Sequence, residues 1–158
     1  MSRLRAMAVG VLTLAVIGGA AGCAADRFQQ AVDNATASVR RQAGLARDEM
    51  AAILREPGDP PGLVDRLSNA LSRAPIDGTV FHTDQAADAV TIDAAFTERS
   101  QAGGGLSYEN ATVRLCVRLQ GAVGPHAHVD VADTACGPSL PTEDPDAGRV
   151  DRVVTWMP

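Results

Sequence analysis

His126, His128 and Asp130 form the most chemically suggestive group in this chain. In a β-strand, positions i, i+2 and i+4 share a face, so two imidazoles and a carboxylate would point the same way. These are zinc-type ligands, which opens a metal-binding reading of the three residues. Solvated strand-edge residues give the same pattern, and the remaining histidine, His82, falls on a different expected strand. Arg114 and Arg118 flank Cys116 in a similar alternation and mark a candidate binding surface. Other chemistries lack parts. No serine sits in a Gly-x-Ser-x-Gly elbow. Gly103-Gly104-Gly105 has no lysine of a phosphate loop. Glu143 and Asp144 fall in an expected loop, where nothing sets them across a cleft. Cys116 and Cys136 are too far apart for a Cys-x-x-Cys redox pair. No catalytic residue and no cofactor is expected, and a secreted hydrolase ranks last among the readings.

The N-terminus carries a different kind of signal. Arg3 and Arg5 precede an apolar run from Ala6 to Ile17, and small residues follow from Gly18 to Gly22. Positive end, apolar centre and small-residue exit are the three parts of an export leader. The run is short for a membrane span of roughly 20 residues. The stretch Ala20-Ala21-Gly22-Cys23 resembles the bacterial lipobox, with alanine where leucine is usual. The resemblance implies that the Cys23 thiol receives diacylglycerol and that the chain is cut before it. Cleavage after Ala25 as an ordinary secretory signal, and retention as an uncleaved anchor, are the competing fates.

Three cysteines are an odd number for an exported chain. With Cys23 lipidated or removed, Cys116 and Cys136 remain, and an oxidising compartment would join them. The loop closed is roughly 20 residues, worth about 3 kcal/mol in the chain-entropy picture. The segments Val113-Arg-Leu-Cys-Val-Arg-Leu119 and Asp133-Thr-Ala-Cys-Gly-Pro-Ser-Leu-Pro141 resemble small actinobacterial lipoproteins. That resemblance covers Ala111 to Pro141 plus the leader. It implies an envelope location and a disulfide, and it transfers no activity.

The elements that position these residues change period along the chain. Phe28, Val32, Ala35, Val39, Ala43, Ala46, Met50 and Ile53 recur at spacings of three and four, which predicts a helix. Run continuously from Asp26 to Arg55 it would reach about 45 Å. Three of the eight stripe residues are alanine and Gly44 interrupts it, so firm helix is expected from Asp33 and a looser tether before it. Leu63, Val64, Leu67, Ala70 and Leu71 predict a second helix, ended by Ala74-Pro75. From Ile76 the period becomes two. Strands are expected over 78–83, around Val90–Thr97, over 112–119, around Ala127–Val131 and over 150–156. The expected fold is α+β: an N-terminal helix or helical hairpin, then an antiparallel β-meander of about four to five strands with one disulfide. The divisions are a leader at 1–22, a lipidated tether at 23–32, a helical segment at 33–74 and the sheet region at 75–158. If Val113, Leu115, Val117 and Leu119 face the helices, Cys116 faces away, and its disulfide ties a loop over the outer face.

All 14 basic residues are arginine, against 19 acids, for a formal net charge of −5. The acids outnumber the arginines mainly beyond Ala74. That excess disfavours nucleic acid and electrostatic docking on anionic lipid. The expected partners are the membrane, through an N-terminal lipid, and an envelope protein or wall component. The leading expectation is a non-catalytic, lipid-anchored envelope module on the extracytoplasmic face.

Overall fold

The computed structural model describes residues 19–56, 62–105 and 107–157. The expected leader up to Gly18, the side chains of residues 19–23 and residues 57–61 lie outside the described residues. The class is α+β, with helices first and a mainly antiparallel sheet after them. The helices are α1 (Gly19–Leu54) and α2 (Leu63–Leu71). The strands are β1 (Thr79–Ala86), β2 (Ala89–Gly104), β3 (Ser107–Ala122), β4 (Val129–Asp133), β5 (Glu143–Asp144), β6 (Gly148–Arg149) and β7 (Arg152–Val154).

The β2–β3 hairpin is the frame. Each strand has 16 residues, paired from Ala89–Ala122 to Gly104–Ser107. At about 3.4 Å per residue that is a ribbon of about 54 Å. Its tip turns on Gly103 and Gly105, at φ of 126° and 69°. At Gly103 a Cβ would also collide with the Ser107 carbonyl oxygen, so only glycine fits. One face of the ribbon is apolar: Val90, Ile92, Ala94 and Phe96 on β2, and Val113, Leu115, Val117 and Leu119 on β3, are all fully buried.

Helix α1 covers that face. Its 36 residues also span about 54 Å, the length of the ribbon. Ala31, Ala35, Val39, Ala43, Ala46, Met50 and Leu54 have no solvent exposure. The alanine-rich stripe lets the helix lie close on the sheet. Residues 23–32, expected as a loose tether, are helical throughout, with Ala31 and Val32 buried. The helix passes through Gly44 without a break because the tail folds over it. Trp156 lies 3.9 Å from where a Cβ of Gly44 would stand, and Arg40 donates twice to the Thr155 carbonyl, at 3.1 and 3.0 Å. Helix α2 buries Leu63, Leu67 and Leu71 beside α1 and β1.

The sheet departs from a pure meander at one edge. Strand β4 pairs only with Val117–Gly121 of β3, leaving the Val113–Leu115 edge open. The chain then crosses the outer face, overshoots to the level of Thr112, and returns as β7 parallel to β3. The long loop supplies the crossover length that a parallel pairing needs. The expected last strand is therefore shorter and of opposite sense. The stretch expected as plain loop, Gly137 to Gly148, also holds the small β5–β6 ladder.

Replacing Gly44 with alanine should raise the unfolding free energy by roughly 0.5–1 kcal/mol, through helix propensity. The contact with Trp156 is an ordinary one at 3.9 Å. Urea denaturation followed by circular dichroism checks this, and a loss of stability would mean that Trp156 cannot give way.

Candidate functional site

The outer face of the sheet is set by the parity of β2 and β3, and it divides into a covered half and an open half. Cys116 lies on this face and is joined to Cys136, with Cα atoms 5.4 Å apart. That separation is ordinary for a disulfide. From this staple the chain spreads over the sheet. Gly137 lies against the ring of Phe81 on β1, leaving no room for a Cβ. Phe81 sits where the β1–β2 register shifts between Val80 and His82. Further on, the Thr112 hydroxyl donates to the Ala147 carbonyl at 2.7 Å. Asp151 accepts from the Thr112 amide at 2.8 Å and donates its own amide to the Thr112 carbonyl at 2.9 Å.

Arg114, expected on a binding surface, lies under this loop. Its side chain is only 7% exposed. Nε donates to Thr97 Oγ1 at 3.1 Å and Nη1 to the Pro141 carbonyl at 2.6 Å, while Asp144 stands 3.9 Å from Nη2. A guanidinium so engaged fixes the loop and is not available to a partner. The expectation for Arg114 is corrected: the loop that the disulfide ties down closes over it.

Arg118 stays in the open half. Its Nε and Nη2 donate to the two carboxylate oxygens of Asp93, at 2.7 and 2.8 Å. The Asp93 side chain is 6% exposed and that of Arg118 is 47% exposed. The hydrogen bonds, and then the charge of Asp93, raise the guanidinium pKa further above its usual value. Arg118 is therefore a permanently charged group held in one orientation, with part of its surface in solvent. His82 stands across from Asp93 on β1, and Gln120 across from Asp130 on β4. Asp93 is the residue that sequence reasoning missed. The glycines alone do not reveal it: the ribbon closes beyond Gly104, and only that register pairs Asp93 with Arg118 and Thr97 with Arg114.

The histidines sit at the far end of the sheet. Strand β4 begins at Val129, so His126 lies in the preceding turn and His128 just before the strand. The single strand face expected for His126, His128 and Asp130 is therefore broken, because Val123 to His128 are spent on the reversal. His128 Nε2 comes within 3.4 Å of Asp130 Oδ1, and both side chains are at least 80% exposed. Among the described residues no group of three or more histidine, cysteine or acidic side chains is placed to hold a metal ion. His126, His128 and Asp130 do line one open depression of about 610 Å³, with Gln120, Ala122 and Pro125. Gly121 also lines it, and on its helix-facing side a Cβ would meet Leu54 at 2.8 Å and the His128 carbonyl at 2.9 Å.

A second cleft, of about 290 Å³, opens where α1 meets the tied loop. Gln42, Thr97, Glu98, Asp144 and Asp146 are among its lining residues. Ser38 Oγ and Gln42 Nε2 both donate to Glu98 Oε2, at 3.3 and 3.2 Å. These bonds join the helix to the middle of the ribbon.

No family model matches the chain, and no curated protein and no solved structure is detectably similar to it.

The Asp93–Arg118 pair makes an asymmetric prediction. Arg118→Ala leaves a buried carboxylate without its partner, which is costlier than removing both charges. The double variant Asp93→Ala/Arg118→Ala should be more stable than Arg118→Ala alone. Equal midpoints in urea would show that Asp93 finds solvent once Arg118 is gone.

Proposed function

We propose that this protein is a non-catalytic lipoprotein of the bacterial cell envelope, anchored through Cys23 and presenting its sheet to an envelope protein or wall component. The observation that carries this reading is the thiol count. Cys116 and Cys136 are joined, which leaves Cys23 as the odd cysteine, and it follows Ala20-Ala21-Gly22 behind a charged and apolar leader. A disulfide suits an oxidising compartment. Among the described residues no helix is long and apolar enough to cross a membrane.

The geometry suggests where a partner would bind. The end of α1 at Leu54 is about 47 Å from Cys23 along the helix axis. There the Gly124 amide donates to the Leu54 carbonyl, and Arg55 donates to the carbonyl of Ala127. The depression of His126, His128 and Asp130 thus lies at the far end from the anchor, beside the open half of the outer face with Arg118. The working surface is assigned to these residues, and Arg114 is withdrawn from it. An exposed, polar and shallow surface of this kind suits a macromolecular contact better than a small enclosed substrate.

Cys23→Ser is the direct test. The wild-type chain should fractionate with membranes, partition into detergent and carry fatty acyl chains detectable by mass spectrometry. The variant should lose the acyl chains and the detergent partitioning. Unchanged detergent partitioning of Cys23→Ser would sink the lipoprotein reading.

A further inference from the structure

The direction of α1 against the ribbon has a consequence for the anchored end. Helix α1 runs parallel to β3. Its end, Leu54, lies against Gly121 near the end of β3, and Ser38 and Gln42 meet Glu98, whose partner on β3 is Val113. From Val113 back to Ser107 the ribbon covers about 20 Å. The same distance takes α1 from the level of Arg40 back by about 13 residues, to the level of Arg27. The hairpin tip therefore returns to within about 10 Å of Cys23 along the axis. Chain order alone would place the sheet far from the N-terminus; the packing brings one end of it back.

The tip also differs in composition from the rest of the molecule. Between Ser100 and Ala111 the only charged residue is Glu109, although 21% of the chain is charged. Tyr108 is 54% exposed, one of the few large apolar side chains left in solvent among the described residues. Gly103, Gly104 and Gly105, at the end of β2 and in the turn, put no side chain of their own in the way of a surface. A tyrosine with an apolar ring and a polar hydroxyl favours the membrane–water interface. The polar headgroup layer is roughly 5–8 Å deep on each side of the hydrocarbon, enough to receive such a turn.

We propose that the β2–β3 tip, through Tyr108 and its glycine turn, rests in the lipid headgroup layer beside the acylated Cys23. The protein then touches the membrane at two points, and its distal end is held at a set orientation. This proposal rests on the lipoprotein reading above, and its ligand is the lipid surface. The acidic loop and the histidine depression lie away from that contact.

The test uses the full lipidated protein in protein-free vesicles of phosphatidylethanolamine and phosphatidylglycerol, with a nitroxide placed at Ser107→Cys or, as a distal control, at Asp88→Cys. Collision with a water-soluble nickel chelate should be several-fold lower at 107 than at 88. Collision with a nickel chelate carried on a lipid headgroup should be several-fold higher. Adding Tyr108→Ala should restore access from water at 107 while the protein still floats with the vesicles. Equal access at 107 and 88 on floating protein would overturn the tip contact and leave the lipid anchor standing. Protein that does not float at all would overturn both. Shielding at 107 in native envelopes but not in these vesicles would assign the tip to a protein partner and also overturn the proposal.

Discussion

Burial of one face of a 16-residue hairpin under one long helix is the constraint on which the rest of this structure depends. Val90, Ile92, Ala94 and Phe96, with Val113, Leu115, Val117 and Leu119, make a continuous apolar strip that water would otherwise wet. The helix that covers it needs equal length and a flat contact stripe. The alanine-rich side of α1 supplies both, at the expense of side-chain bulk. The thin stripe is supplemented at its margins. Helix α2 brings Leu63, Leu67 and Leu71, and the C-terminal tail brings Trp156, held by Arg40 and by the Trp156 amide donating to Asp133 at 2.6 Å.

With one face of the sheet filled by the helix, the opposite face takes the polar residues by parity. There the chain solves two problems with two devices. Over one half, the Cys116–Cys136 bond and the buried Arg114 hold an otherwise irregular segment down, and each buried polar group finds a partner in that segment. Over the other half, Asp93 is buried but Arg118 neutralises it from the solvent side. The first device removes an arginine from the surface, and the second fixes one on it. Any recognition by this face depends on the second half and on the adjoining turn of His126 and His128.

What was legible in the sequence follows from local periodicity. The helix–strand order came from the change of period at Ile76, and the strand around Cys116 and the outward direction of that cysteine came from alternation in residues 111–119. The Asp93–Arg118 pairing was not readable, since a hairpin centred on the three glycines would set Asp93 across from Leu115, three residues out of the observed register. Non-local effects were not readable. Nothing local in Val113-Arg-Leu-Cys says that a loop begun at Thr134 will cover Arg114. The parallel entry of β7 depends on how short β4 is. Residues 23–32 offer only Phe28 and Val32 as large apolar side chains, and only the long ribbon beneath them accounts for the buried Ala31 and Val32. The strand expected at His126 failed because the β3–β4 reversal consumes those residues.

The matched lengths and common direction of α1 and the hairpin are the centre of this account, since they set where the N-terminal end of the helix, the covered half and the open depression lie. Spin-label distances on the folded domain test them most directly. A label at Ala25 paired with one at Ser107 should give a short distance, while Glu56 paired with Ser107 should give about 45 Å, the length of helix between the levels compared. A long Ala25–Ser107 distance with a short Glu56–Ser107 distance would mean that the helix runs against β3, and the account would be wrong.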